Sequence, residues 1–241
     1  MFFIRRNRLL VSTLLSIIGL YFSWNPEFLI FTIVGYCLML IGSEIGLHRY
    51  YSHRSFTCSP LSEAFLLCCI FISGSSDPIG YARQHRYHHK YADTPLDIHP
   101  VIDTPIKAWF NNKWVDFSTI HITDLTSNKF YMFLYHHYFT LYFTFISILL
   151  FINFQFSLYF LILPTALMLN ISSAVNIFCH RYGYRNFDTP DNTTNNIILN
   201  ILTLGAGLHH NHHANPSAYS WKVKPFEFDL LGLFIKYFLK K

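Results

Sequence analysis

Histidine is the residue whose number and spacing point to chemistry in this sequence. There are 14 in 241 residues, and nine of them fall in four places. His48 and His53 form an HxxxxH pattern. His85, His88 and His89 form HxxHH, His180 stands alone, and His209, His212 and His213 form a second HxxHH. In a helix, positions i, i+3 and i+4 share a face. HxxHH therefore aims three imidazoles at one point, while its adjacent pair diverges enough to reach two ions. Neutral imidazole suits iron, copper, zinc and nickel. Nine such donors at one depth can hold two ions with four or five nitrogens each. His210 reads as a spacer within the last pattern. His99, His121, His136 and His137 read as interfacial, hydrogen-bonded or substrate-side residues.

The elements that must carry these histidines are apolar. Hydrophobic residues make up 52% of the chain, charged residues only 13%, and there are 25 Phe and 16 Tyr. That charged share is about half the usual value of about 25% for soluble domains, so a bilayer is the expected solvent. Crossing one takes about 20 apolar residues. The sequence predicts an all-α, multi-pass membrane protein with four transmembrane helices at about 9–23, 28–47, 131–152 and 156–179. A turn at Asn25-Pro26 joins the first two and a turn at Asn153–Gln155 joins the last two, giving two hairpins. Pro164 is placed to kink the fourth span. Arg5, Arg6 and Arg8 before an apolar run resemble a secretory leader, but no small-x-small cleavage site follows, so the segment reads as a retained anchor. The stretch from Pro60 to Ile72 is too short to span and reads as a helix lying at the interface.

Charge predicts the orientation. If both turns lie on one side, all 18 Lys and Arg fall on the other: three in the N-terminal tail, eight between His48 and Lys129, and seven after His180. The positive-inside rule then places both termini and the histidines in the cytoplasm. The expected host membrane is a bacterial inner membrane, or the endoplasmic reticulum in a eukaryote. Segments 48–130 and 180–241 become a cytoplasmic helical cap holding a di-metal site, within one domain covering 1–241. The five cysteines form no CxxC pair and read as small buried hydrophobes. Nothing suggests a nucleic-acid partner.

From His48 to about Leu233 the sequence resembles the membrane fatty acid desaturases of the stearoyl-CoA type, including short bacterial relatives. Gly46–Phe56 (GLHRYYSHRSF) is similar to the first histidine box of that family. Asp77-Pro78, Tyr81–Lys90 (YARQHRYHHK), Asp93-Thr94, Asp97 and His99 are similar to the second region. Asn176–His180 with Gly183–Arg185 resembles the Asn-x-x-x-His element, and Gly205–His213 with Asn215-Pro216 resembles the third box. The sequence departs from the family at Ala206, where Glu is usual, at Tyr81, where Trp is common, and at Gln84, where an acid is common. Carried over by position, the resemblance makes His48, His53, His85, His88, His89, His180, His209, His212 and His213 the metal ligands. It makes Asn176 a ligand through water. It implies two ferrous ions, O2 as co-substrate, and a fatty acyl substrate carried by coenzyme A, an acyl-carrier protein or a lipid. No His-Pro-Gly-Gly element of a fused haem carrier is present, so a separate electron donor such as ferredoxin or a cytochrome b-type protein is expected.

The function expected is oxygen-dependent insertion of a cis double bond into a saturated acyl chain. Breaking an unactivated methylene C–H bond is beyond any side-chain acid or base and belongs to a cofactor. A hydroxylase on the same scaffold is the first alternative, and a non-catalytic membrane metal-binding protein the second. A transporter would place its polar ligands inside the spans, whereas these histidines crowd the span ends. All-imidazole ligation leaves the ions' charge uncompensated, so carboxylates are expected on the far ring nitrogens. Glu44, Asp93 and Asp97 are assigned that place, with Asp77 and Asp188 as helix caps, surface charges or further acceptors. Glu44 lies four residues before His48 inside an apolar span, where an acid costs about 2.5–3.5 kcal/mol. Tyr36, Phe71 and Phe178 are the aromatics named for an acyl tunnel. Arg83, Arg86 and Arg185 are named for an anionic substrate head group, with Lys90 and Arg181 nearby.

Overall fold

The computed structural model describes residues 2–99, 109–110 and 120–241. Lys107 and Lys113, counted in the charge partition above, lie outside them. The described residues are helical and contain no strand, only two isolated bridges, Cys58 with Lys240 and Tyr184 with Asn195. Helix α1 spans Phe2–Ser23, and α2 spans Pro26–Ser52. α3 is Pro60–Ser73, α4 is Pro78–Tyr91, and α5 is the single turn Thr123–Thr126. α6 is Lys129–Ile152 and α7 is Phe154–Phe178. Three short helices follow: α8 (Ile197–Thr203), α9 (His209–Ala214) and α10 (Leu230–Leu239).

Three helices, α2, α6 and α7, are long and apolar enough to cross a membrane. The apolar part of α1, Asn7–Ser23, is shorter than these three, so the first of the four expected spans is the weakest by length. The other three expected spans each start or end a few residues beyond the sequence boundaries. α3 and α4 are bent 81° at their junction and together could form one further broken span.

The two hairpin turns sit at one end of the bundle. Asn25 N donates to the Tyr159 hydroxyl at 2.6 Å, and that hydroxyl donates to Ser23 O. Tyr159 lies six residues past Asn153, whose side chain caps the start of α7 by accepting from Phe156 N at 2.9 Å. The irregularity in α7 is a π-helical turn at Leu158–Ile162, just before Pro164. Proline has no N–H to give the carbonyl four residues earlier, that of Phe160. α2 packs closely there, and a Cβ on Gly35 would lie 2.3 Å from Phe160 O. Thr32 Oγ1 donates to the neighbouring Tyr159 carbonyl at 2.9 Å.

The second half of α2, Ile41–Ser52, is also π-helical. This bears directly on HxxxxH. At 3.6 residues per turn, residues five apart point about 140° away from each other. In a π-helix the backbone closes on residue i+5 instead, and His53 N donates to His48 O at 3.2 Å. The wider turn brings His48 and His53 to one side. α3 supports this segment closely: a Cβ on Gly42 would meet the Cys69 backbone at 2.4 Å. α3 begins with Ser59 capping Ser62 N and ends at Gly74, whose φ of 62° lies in the left-handed region. Asp77 Oδ1 then caps α4 by accepting from Gly80 N at 2.8 Å.

Candidate metal centre

The nine histidines of the four sequence patterns converge into two groups. His48, His53, His85, His89 and His212 form one; His88, His180, His209 and His213 form the other. Within each group, one nitrogen from every ring lies within 4.8 Å of all the others. The two HxxHH helices divide in opposite senses. α4 sends His85 and His89 to the five-histidine group and His88 to the other. α9 sends His209 and His213 to the four-histidine group and His212 across to the five.

Within each group, ring nitrogens face one another at 2.7–3.0 Å. His53 Nε2 and His85 Nε2 are 2.7 Å apart, His89 and His212 Nε2 2.8 Å, His48 and His212 Nε2 2.9 Å, and His85 and His89 Nε2 3.0 Å. His180 and His209 Nε2 are also 3.0 Å apart. The far nitrogen of several rings is committed to an anion. His48 Nδ1 lies 3.0 Å from Glu44 Oε2, His88 Nδ1 2.8 Å from Asp97 Oδ1, and His180 Nδ1 2.9 Å from Asp93 Oδ1. With its proton on Nδ1, each of these rings presents a bare lone pair at Nε2. His88 Nε2 and His213 Nε2 are buried with no hydrogen-bond partner. Burial, and then the neighbouring rings, hold His209, His212 and His213 well below the usual histidine pKa, which keeps them neutral. Lone pairs facing lone pairs repel unless a cation lies between them. Metal–imidazole bonds of about 2 Å set at right angles leave nitrogens about 3 Å apart, so the donor set fits a metal ion in each group.

The carboxylates are themselves held. Asp97 is fully buried, which alone would raise its pKa; hydrogen bonds from the His88 ring and the His99 backbone bring it down to about 2. Its other oxygen accepts from Asp93 N at 2.9 Å. Asp93 takes a positive φ of 60°, which a short acidic side chain tolerates, and also accepts from Asn192 N at 2.8 Å. A carboxylate that the sequence analysis did not name completes this set: Asp191 Oδ2 lies 3.2 Å from His213 Nδ1. Asp191 sits in an irregular loop, so no periodicity marks it. Asp77 instead caps α4, and Asp188 is exposed.

Below the histidines opens a cavity of about 400 Å³. Glu44, His48, Asn176, Tyr81, Phe139 and Met168 are among the residues that line it. The tunnel aromatics named from sequence lie elsewhere. Tyr36 donates its hydroxyl to Leu202 O, Phe71 packs on Tyr138 and Tyr142, and Phe178 is partly exposed beside Trp109. The pattern marked the apolar helices but not which way each ring turned.

The three arginines named for a head group are differently placed. Arg86 is engaged within the protein: it donates to Ser52 O, Tyr51 O, His121 O and both oxygens of Asp124. Arg185 donates to Asp191 O, Thr193 O and Thr189 O. Both guanidiniums tie backbone segments together through these contacts. Arg83 lies over the Tyr135 ring at 5.6 Å. His210 is buried but turned out of both groups, with Nδ1 3.0 Å from Thr193 Oγ1 and Nε2 accepting from Phe187 N. His99 lies beside His88, with ring centroids 5.0 Å apart, and lines the cavity. His121 contacts Thr123 Oγ1, and His136 and His137 are exposed on α6. All five cysteines are free thiols, with Cys69 and Cys179 buried.

The sequence model of the fatty acid desaturase family matches residues 22–227. The chain belongs to that family. It is 33% identical over 205 residues to an acyl-CoA 5-desaturase of Anemone leveillei, an alignment covering 80% of this chain and 62% of the relative. It is 27% identical over 234 residues to an sn-1 stearoyl-lipid 9-desaturase of Anabaena variabilis, covering 91% and 85%. A stearoyl-CoA desaturase of Capra hircus is 29% identical over 209 residues, covering 77% of this chain and 56% of the relative. The chain thus spans less than two thirds of the length of the first of these relatives.

Proposed function

We propose that this chain is a fatty acyl desaturase that inserts a cis double bond into a saturated acyl chain, using O2 and two iron ions. The observation that carries this reading is the pair of histidine groups set directly on a cavity that also holds apolar side chains. His48, His53, His85, His89 and His212 would hold one ion; His88, His180, His209 and His213 would hold the other, with Asn176 reaching it through water. Bound iron and oxygen supply the oxidising power that no side chain has. Glu44, Asp93 and Asp97 keep protons on the far nitrogens of His48, His180 and His88, so the ligating nitrogens of those three rings stay lone pairs. Met168, Phe139 and Tyr81 exclude water and lay the acyl chain beneath the histidines.

Removing two hydrogens while reducing O2 to two waters takes two further electrons, so a separate donor such as ferredoxin or a cytochrome b-type protein is required. The acyl chain would arrive on coenzyme A, a carrier protein or a lipid, in keeping with the acyl-CoA and acyl-lipid names of the relatives. We further propose four spans, α1, α2, α6 and α7, in a single domain with the cap and both termini cytoplasmic. The shared end of the two hairpin turns supports this, because neither turn contains a Lys or Arg. Expression in a host lacking desaturases, followed by fatty-acid profiling, tests the activity. New monounsaturated chains support it; hydroxylated chains, or no new product with two metal ions bound, contradict it.

A further inference from the structure

The two histidine groups differ in the anions behind them. Three of the four rings in the His88, His180, His209 and His213 group carry a carboxylate on Nδ1: Asp97 at 2.8 Å, Asp93 at 2.9 Å and Asp191 at 3.2 Å. Of the five rings in the other group, only His48 does so among the described residues, through Glu44 at 3.0 Å. His212 Nδ1, in that group, is buried without any partner. The three aspartates are fixed by donors of their own. Asp93 N and His99 N bind Asp97, Asn192 N binds Asp93, and the Thr193 and Thr189 hydroxyls bind Asp191. Cations stand near both groups, each beside a carboxylate: Arg86 pairs with Asp124 and Arg49 with Asp229 near the five-histidine group, and Arg185 lies 3.9 Å from Asp191 near the other, so the difference between the groups rests on the carboxylates that meet the rings.

We propose that the two sites are unequal, and that the four-histidine site takes its metal ion first and holds it more tightly. This rests on the two-ion reading above. Each carboxylate makes its imidazole a stronger donor, and losing such a partner typically costs 10–100-fold in metal affinity, an order of magnitude or two. Two more carboxylates on one group therefore outweigh one additional neutral nitrogen on the other. The first ion bound then repels the second, which widens the gap. The orphaned Nε2 atoms of His88 and His213, both aimed into the four-histidine group, are the free donors that such an ion would engage.

The test is a titration of purified, metal-free protein with Co2+, read by equilibrium dialysis. The wild type should bind two ions in two affinity classes. Asp191→Asn should weaken the tighter class by about 10–100-fold and leave the weaker unchanged. Asp97→Asn, on a different turn, gives the same readout should the first variant fail to fold. Glu44→Gln should move only the weaker class. A merely structural loss would shift both classes together. Two ions bound with equal affinity, or a tighter class that answers to Glu44 and not to Asp191, would overturn the proposal while leaving two metal sites in place. Fewer than two ions at saturation in the wild type would overturn the two-ion reading as well.

Discussion

The guanidinium of Arg49 lies 3.8 Å from the centre of the Trp221 ring, and both residues are fully buried. The same ring packs against His212 at 4.4 Å and His48 at 5.0 Å between centroids. Arg49 also donates to Asp229 Oδ1 at 3.0 Å and Tyr219 O at 2.8 Å. A cation and an indole thus pack against two candidate ligands of the five-histidine group. Arg49→Met leaves the buried Asp229 carboxylate without its countercharge, and breaking such a pair costs about 3–5 kcal/mol. The expected outcome is a large fall in thermal midpoint in detergent. Arg49→Lys keeps the charge but loses the planar fork, and should cost less.

His210 and His212 offer a test that separates a buried hydrogen-bonded histidine from a proposed ligand. His212→Ala should abolish metal binding to the five-histidine group and product formation. His210→Ala removes contacts to Thr193 and Phe187 and should cost about 1–3 kcal/mol of stability while both metals remain. Metal analysis beside thermal unfolding checks this, and equal metal loss in the two variants would contradict the assignment.

Glu227 sets an acid limit on the fold. It is buried, which would raise its pKa, but five donors face it: Lys224 N, Val223 N, the Tyr184 hydroxyl and the Asn186 and Asn211 amides. The net direction is downward from the ordinary carboxylate value. A group with a depressed folded pKa contributes stability above its unfolded pKa of about 4.3, and that stability is lost as pH falls through the folded value. The thermal midpoint should therefore drop as pH falls below about 4.3, and Glu227→Gln should flatten that slope while lowering the midpoint at neutral pH.

Gly42 is where α3 touches the π-helical part of α2. A Cβ there meets the Cys69 backbone, which cannot step aside as a side chain could. Gly42→Ala should destabilise by about 1–3 kcal/mol, typical of overpacking. It should also displace Glu44 from His48, seen as lost affinity for one metal ion.

Much of this was legible in residue spacing. HxxHH on α4 and α9 implied a shared face with a diverging adjacent pair, and the two helices divide their histidines that way. Glu44, four residues before His48, was legible because local helical geometry alone sets their separation. The π-helical turn that brings His53 beside His48 was not, since a sequence period near 3.6 says nothing of a local change to i+5 bonding. Asp191 and Trp221 were invisible because both lie in loops, where long-range folding and not periodicity sets position. The backbone contacts of Arg86 and Arg185 were not legible either, because a basic residue beside a histidine box looks the same in sequence whether it meets a ligand or a backbone carbonyl.

Anomalous scattering at the iron edge, from crystals of protein purified with its metal, tests the central claim most directly. Two peaks are predicted. One should lie about 2 Å from the nitrogens of His48, His53, His85, His89 and His212, and the other about 2 Å from those of His88, His180, His209 and His213. A single peak shared by both groups, a peak lying elsewhere, or no peak from protein that makes product would contradict the account.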